Sequence, residues 1–216
     1  MVRDCSHVVT TSMMQIPHFP PTKVHQFATI SDGHPLNVTS VALTTHSGTH
    51  MDAPSHAIEG GRTIQDIDLD ECHGSALVIP VRAKPSTMIH LTDLRLGAHT
   101  VREGDILLLA TGWSRHYGQP AYYDNPHLSA EVADWVLARG AKLLGVDFLT
   151  VDRPMALRGD DFDFPIHHTL LGADLPLIEN LTNLPRERPV RMNCTAFPLT
   201  IEAADGAPVR VVLHGG

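Results

Sequence analysis

The sequence predicts one layered domain of mixed α/β (or α+β) class, spanning residues 1–216. Three observations predict it. Several apolar runs have the length of buried strands, and only two stretches read as helices. The 16 Pro and 16 Gly are scattered rather than gathered into a linker. Asn37 to Thr45 (NVTSVALTT) is rich in β-branched residues and partly alternates, so it reads as a strand. Ala76 to Val81, Asp105 to Thr111 and Ala141 to Val146 are continuous apolar runs, the pattern of strands covered on both faces. One helix is predicted from Ser129. Its hydroxyl can cap the first turn, Val132, Trp135 and Val136 form an apolar stripe, and Gly140 can end it. A second, short helix is predicted near Asp163-Phe164-Pro165, because Pro suits a first helical position; Gly172 would terminate it. Val190 to Leu199 and Val209 to Leu213 read as late strands.

Composition narrows the function classes. Hydrophobic residues make up 43% and charged residues 19%, a globular balance that excludes a disordered chain or a coiled coil. Sixteen basic against 24 acidic residues give a net charge of −8. Nucleic-acid affinity is built on excess Lys and Arg, so no nucleic-acid partner is expected. No run is long and apolar enough to span a bilayer, and the first fifteen residues hold no continuous apolar stretch, so no membrane partner and a cytoplasmic location are expected. Cys5, Cys72 and Cys194 form no C-x-x-C pair, which argues against a disulfide framework or a thiolate zinc site. Histidine is the outlier, at 15 of 216 residues. It is the commonest metal ligand and the near-neutral acid/base, so the excess points to metal or proton chemistry.

The densest signal is His46-Ser47-Gly48-Thr49-His50-Met51-Asp52-Ala53-Pro54-Ser55-His56. Gly48, Thr49 and Pro54, after a β-branched strand, argue against a helix here. An extended chain would point His46, His50, Asp52 and His56 one way. A straight strand would nevertheless leave His46 and His50 about 13 Å apart. Two ligands of one zinc ion need their donor atoms within about 4 Å. The chain must therefore bend between them, and Gly48 is the residue that permits a bulge or a positive φ. Two imidazoles and a carboxylate suit zinc, manganese or iron better than calcium or magnesium. Three protein ligands leave a position for water, which a metal acidifies toward pKa ~7. His56 would then be free as general acid/base. A second cluster, Asp160 to Glu179, contains His167, His168 and Glu179; a carboxylate in the apolar run Leu177-Ile178-Glu179 is costly to bury unless paired or metal-bound. Spacing alone leaves an ion pair equally open there.

These residues carry a resemblance to the cyclase-like metal-dependent hydrolases, which include bacterial kynurenine formamidase and isatin hydrolase. His46 to His56 matches the family motif H-x-G-T-H-x-D-x-P-x-H at every fixed position. Gly145-Val146-Asp147 resembles its G-V-D strand end. His167 through Leu181 resembles its H-x-x-L-L-G…E-N-L block, and Asp205 to Arg210 its D-G-x-P-x-R ending. The resemblance implies a swivelling β/β/α fold in a homodimer or homotetramer. It implies metal binding by His46, His50 and Asp52, a second ion shared by Asp52, His167 and Glu179 in the two-metal members, and His56 as catalytic acid/base. His168 ranks below His167. The family's M-P-x-W-P-G stretch corresponds here to Ile16-Pro17-His18-Phe19-Pro20-Pro21, so Phe19 stands where a pocket Trp is usual. Phe19 and Trp113 are the substrate-contact candidates.

The function so implied is hydrolysis of a C–N amide bond in a small aryl formamide or cyclic amide by metal-activated hydroxide, with one or two zinc or manganese ions. Two other readings compete. His50-x-Asp52 with a distant His also fits a non-haem Fe(II) oxygenase, which should carry a jelly-roll pattern. The third is a non-catalytic metal-binding module.

Overall fold

The computed structural model describes residues 2–96 and 100–215. In chain order its strands and helices are β1 (Val2–Asp4), β2 (Lys23–Ala28), β3 (Val38–Ala42), β4 (His50–Asp52), β5 (His73–Pro80), β6 (Met88–Ile89), β7 (Ile106–Ala110), β8 (His127–Leu128), α1 (Ala130–Ala138), β9 (Leu143–Val146), α2 (Pro165–Gly172), β10 (Leu177–Glu179), β11 (Val190–Thr195), β12 (Gly206–Pro208) and β13 (Val212–His214). Nine strands form one sheet in the order β1-β13-β11-β5-β7-β9-β10-β4-β12. Its centre, β5-β7-β9-β10, is parallel; β4 and β12 on one flank and β11, β13 and β1 on the other pair antiparallel.

The apolar runs are buried on both faces, as their unbroken hydrophobicity requires. Leu77 and Ile79 of β5 and Leu107 and Leu109 of β7 enter one core, which α1 and α2 cover with Val136, Ile166 and Leu170. Ala76, Val78, Ile106 and Leu108 alternate into a second core. That second core also holds Ala207 of β12 and Leu213 of β13, which stand near opposite ends of the strand order. The sheet therefore curls, and its two flanks close over one face while the helices close over the other. Cys5, Cys72 and Cys194 are free and buried in the curled face, where burial pushes each thiol up to about 12.

The two expected helices form where their caps lie. The Ser129 hydroxyl accepts from the Val132 amide at the start of α1, and Pro165 opens α2. Strand ends shift. The 37–45 strand stops at Ala42, because the chain leaves the ladder at Leu43 and turns at Thr45 and His46, the first motif histidine. The 190–199 strand stops at Thr195, after which Pro198 makes only an isolated bridge to Val209. The 209–213 strand is displaced to Val212–His214. The parallel centre overturns the jelly-roll expectation of the oxygenase reading, since a jelly roll is built from two antiparallel sheets.

Candidate metal centre

The motif reaches its geometry by a turn, then a short strand, then a second turn. Gly48 has φ +64°, the left-handed conformation that glycine adopts without penalty, and a Cβ there would stand 2.6 Å from the Met13 Cε. This is the bend that brings His46 back over His50. β4 then carries His50 and Asp52 to one side while Met51, between them, enters the curled core. Pro54 opens a single 3₁₀ turn, Pro54–His56, that returns His56 toward the site. The antiparallel neighbours finish the assembly. On one side β10 aligns Glu179 with His50; on the other β12 aligns Gly206 with Asp52. A Cβ on Gly206 would lie 2.9 Å from the His46 ring, so the close approach of that imidazole needs a glycine here.

Three imidazoles converge on Asp52. His46 Nδ1 is 2.7 Å and His50 Nε2 3.2 Å from its Oδ1, and His167 Nε2 is 3.7 Å from its Oδ2. Glu179 lies beside them, with Oε2 3.7 Å from His50 Nε2 and Oε1 3.4 Å from His167 Nε2. On each ring the other nitrogen is held from outside. His46 Nε2 donates to Asp205 Oδ2 at 2.9 Å, His50 Nδ1 to the Gly48 carbonyl at 2.9 Å, and His167 Nδ1 to Asp152 Oδ2 at 2.6 Å. Asp152 is held in turn by the amides of Ile166 and His167 at the start of α2. Rings oriented by one nitrogen with the other presented to a shared carboxylate are the arrangement that metal-binding histidines adopt.

The residues fit a divalent ion on two further grounds. Asp52 is fully buried, and its Oδ2 has no hydrogen-bond partner among the described residues. A buried carboxylate oxygen left unpaired is costly, and a cation removes that cost. In addition, one donor atom from each of His46, His50 and Asp52 lies within 4.8 Å of the other two.

Electrostatics follow from the crowding. Burial opposes charge on His46, but the hydrogen bonds to Asp205 and Asp52 overcome it and raise the imidazole to about 10. His167 is raised well above the usual histidine range, against its burial, by Asp152, Asp52 and Glu179. Asp52 is held well below the carboxylate range, although burial acts the other way, by the charge and hydrogen bonds of His50, His167 and His46. Asp205 is depressed by its bonds from His46 and His56.

His56 borders the converging set, with one ring nitrogen within 4.8 Å of donor atoms of Asp52 and His167. Its ring is 3.9 Å from that of His46 and 5.7 Å from that of His167, and its Nδ1 donates to Asp205 at 3.2 Å. It lines a cavity of about 210 Å³ together with His46, His50, His167, Glu179 and Phe19. His168 is exposed on α2, whereas His167 is buried. Trp113 is a correction. It is 2% exposed in the helix-covered core, its Nε1 donates to the Tyr122 carbonyl, and it is not among the residues lining the cavity. An indole placed just after a strand of five consecutive apolar residues gains more from the core than from a solvent-open pocket.

Sequence reasoning missed four contributors. Asp205 and Asp152 orient the rings from 159 and 15 residues away, and Arg158 joins the cavity wall. Asn180, at φ +59°, pins the Gly48 turn by donating to the Gly48 carbonyl at 3.0 Å while its own Oδ1 accepts from Tyr122. Asp205 and Asn180 lie in the D-G and E-N-L segments, the only signal that could have found them.

Fold and site together define a histidine–carboxylate cluster that fits a metal ion, on the rim of a curled α/β sheet. The sequence matches the Cyclase family model, described as "Putative cyclase", over residues 3–153, and the chain belongs to that family. It is 29% identical over 212 residues to a kynurenine formamidase of Bacillus cytotoxicus, covering 98% of this chain and 96% of that one. It is 31% identical over 181 residues to a kynurenine formamidase of Bacillus cereus, covering 83% and 80%. Isatin hydrolase A of Ralstonia solanacearum shares the fold, with a TM-score of 0.84 at 24% identity over 99% of this chain and 91% of that one. A solved structure titled as a potential metal-dependent hydrolase with cyclase activity aligns with a TM-score of 0.78 at 25% identity, covering 99% and 96%.

Proposed function

We propose that the protein is a metal-dependent hydrolase that cleaves the C–N bond of a small aryl formamide or cyclic amide. The single observation that carries this reading is the convergence of three externally oriented imidazoles on a buried aspartate with an unpaired oxygen, beside an apolar cavity. His46, His50 and Asp52 would hold one divalent ion, zinc or manganese, and Asp52, His167 and Glu179 would hold a second where one binds. Such an ion acidifies water and polarises a carbonyl oxygen when bound. The chain's own groups do the rest. Phe19 and the apolar wall orient the aryl group and exclude water around it. His56, held at Nδ1 by Asp205, presents its other nitrogen for proton transfer. In the overall step the C–N bond breaks, hydroxyl adds to the carbonyl carbon and a proton goes to the leaving nitrogen, and His56 is the group placed to move it. Formamidase activity in relatives of nearly full length supports the reaction class.

The test is turnover of formanilide and isatin by zinc- and manganese-loaded protein. His56→Ala should lose about 10²- to 10⁴-fold in kcat while retaining its metal. Parent-like turnover by that variant would overturn the role of His56.

A homodimer or homotetramer is the assembly we propose. Its support is the β2–β3 hairpin, which pairs with no other strand among the described residues and exposes Val24, Phe27, Val38 and Val41. Covering such a surface favours self-association, and sedimentation of a Phe27→Glu variant against the parent would test it. A cytoplasmic location is proposed in keeping with three unpaired thiols. Among the described residues no helix is long and apolar enough to cross a membrane.

A further inference from the structure

The cavity beside the metal centre has a wall that its apolar character does not explain. Phe19, Phe164, Met14 and Met155 make it a slot for an aromatic ring, yet Arg158 stands among them as the one Arg or Lys that lines it among the described residues. Arg158 is half-buried and oriented. Its Nε donates to the Arg153 carbonyl at 2.8 Å, and its Cζ lies 4.7 Å from the Phe164 ring centre and 5.3 Å from that of Phe162. Those contacts use one nitrogen and the flat face. The two terminal nitrogens of the fork have no hydrogen-bond partner among the described residues, and no carboxylate pairs with them, whereas Arg62, Arg191 and Arg210 all have acidic partners. A guanidinium held in plane with its fork free is arranged for bidentate recognition of a planar anion. Its distance from the chemistry also fits. The Phe164 ring over which Arg158 lies is itself 6.1 Å from the His167 ring, and all three residues line the same cavity.

We propose that Arg158 sets the specificity of this site and that the substrate is an aryl amide carrying a carboxylate. The substrate's carboxylate engages the Arg158 fork, its ring fills the slot between Phe19 and Phe164, and its amide lies over the His46–His56 cluster. The inference rests on the hydrolase reading above for the fate of the amide, but not for the recognition of the anion. A monoanion is favoured over a phosphate, because Asp52, Glu179 and Asp205 already make the inner end of the cavity acidic.

Two measurements on the metal-loaded protein test this. In equilibrium binding, benzoate should bind the parent at least tenfold tighter than benzamide, its neutral analogue of the same shape. Arg158→Met, which retains an apolar stem over the phenylalanines, should abolish that preference. Equal binding of both probes to the parent overturns the proposal, and so does a benzoate preference unchanged in Arg158→Met, which would place the anion on the metal. In turnover, Arg158→Met should lower kcat/KM for 2-formamidobenzoate by about 10- to 100-fold more than for formanilide, mostly through KM. An equal loss on both substrates would show Arg158 to be a packing residue only. Absence of turnover on every amide would count against the hydrolase reading, while the binding comparison would still decide the role of Arg158. Tighter binding of phenyl phosphate than of benzoate would overturn the choice of a carboxylate.

Discussion

Asp52 and Asp147 are both almost wholly buried, both stand at or just beyond a strand end, and they are opposites chemically. Asp147 follows β9 and is saturated by donors. The Thr111 amide and hydroxyl bond its Oδ1, and the Gly112 amide bonds its Oδ2. These tie the end of β7 to the end of β9, and the side chain has no task left. Burial still outweighs those bonds and raises its carboxyl to about 6. Asp52 has one oxygen without a partner among the described residues and three imidazoles around it, and its carboxyl is held well below the usual range. Burial alone therefore does not mark a functional carboxylate. The mark is burial with hydrogen-bonding capacity left over and cationic or metal-binding groups facing it.

Exchanging each residue for its neutral isostere would break the comparison at its widest point. Asp52→Asn should lose more than about 10³-fold in activity, since it removes a charge shared by the converging rings, and metal analysis should find the ion depleted. Asp147→Asn should keep its metal and its turnover per folded molecule. If Asp147→Asn lost metal as Asp52→Asn does, the division between the two residues would fail.

Asp152 sharpens the contrast from outside the centre. It touches His167 and the α2 amides but not Asp52, so Asp152→Asn should weaken metal binding by about 10- to 100-fold, read as the chelator concentration needed to strip the protein. An unchanged stripping profile would make Asp152 a helix cap alone.

The pH dependence of stability provides a third test, on Asp147. Its folded carboxyl titrates near 6, above the ordinary 3.8, so its protonated form is favoured by folding. Its contribution is fully present below about pH 4 and is lost as pH rises through about 6, by up to about 3 kcal/mol. The stability gap between parent and Asp147→Asn should therefore narrow from pH 4 to pH 7 in urea melts. A gap that widened would reverse the assignment. The smallest effect belongs to the bend. Gly48→Ala forces a Cβ into the left-handed region and against Met13, and should cost about 1–2 kcal/mol, with Tm lowered and His50 displaced enough to raise KM.

Much of the site was legible because its ligands are local. His46, His50, Asp52 and His56 fall within eleven residues, and the reach of an imidazole already demanded a bend at Gly48. Strand cores at β5, β7 and β9 were legible for a similar reason, since burial on both faces leaves an unbroken apolar run. Trp113 was not, because the apolar strand before it favours the core but only packing shows which surface the indole meets. Strand ends such as Ala42 and Thr195 were set by the turns and bridges they feed, which local composition records poorly.

By itself the sequence determined the ligand types, their order along β4 and the hinge that lets them meet, because chain connectivity over a few residues leaves little freedom. Only the tertiary structure decided which distant groups surround the rings: Asp205 beside β12 holds His46, Asp152 from the loop before α2 holds His167, and Glu179 of β10 stands beside His50 and His167. Those partners meet the motif through sheet pairing across more than a hundred residues of chain, or through packing of α2 against the sheet. Such contacts are chosen by the curl of the sheet and by burial summed over the whole molecule, which no local spacing encodes.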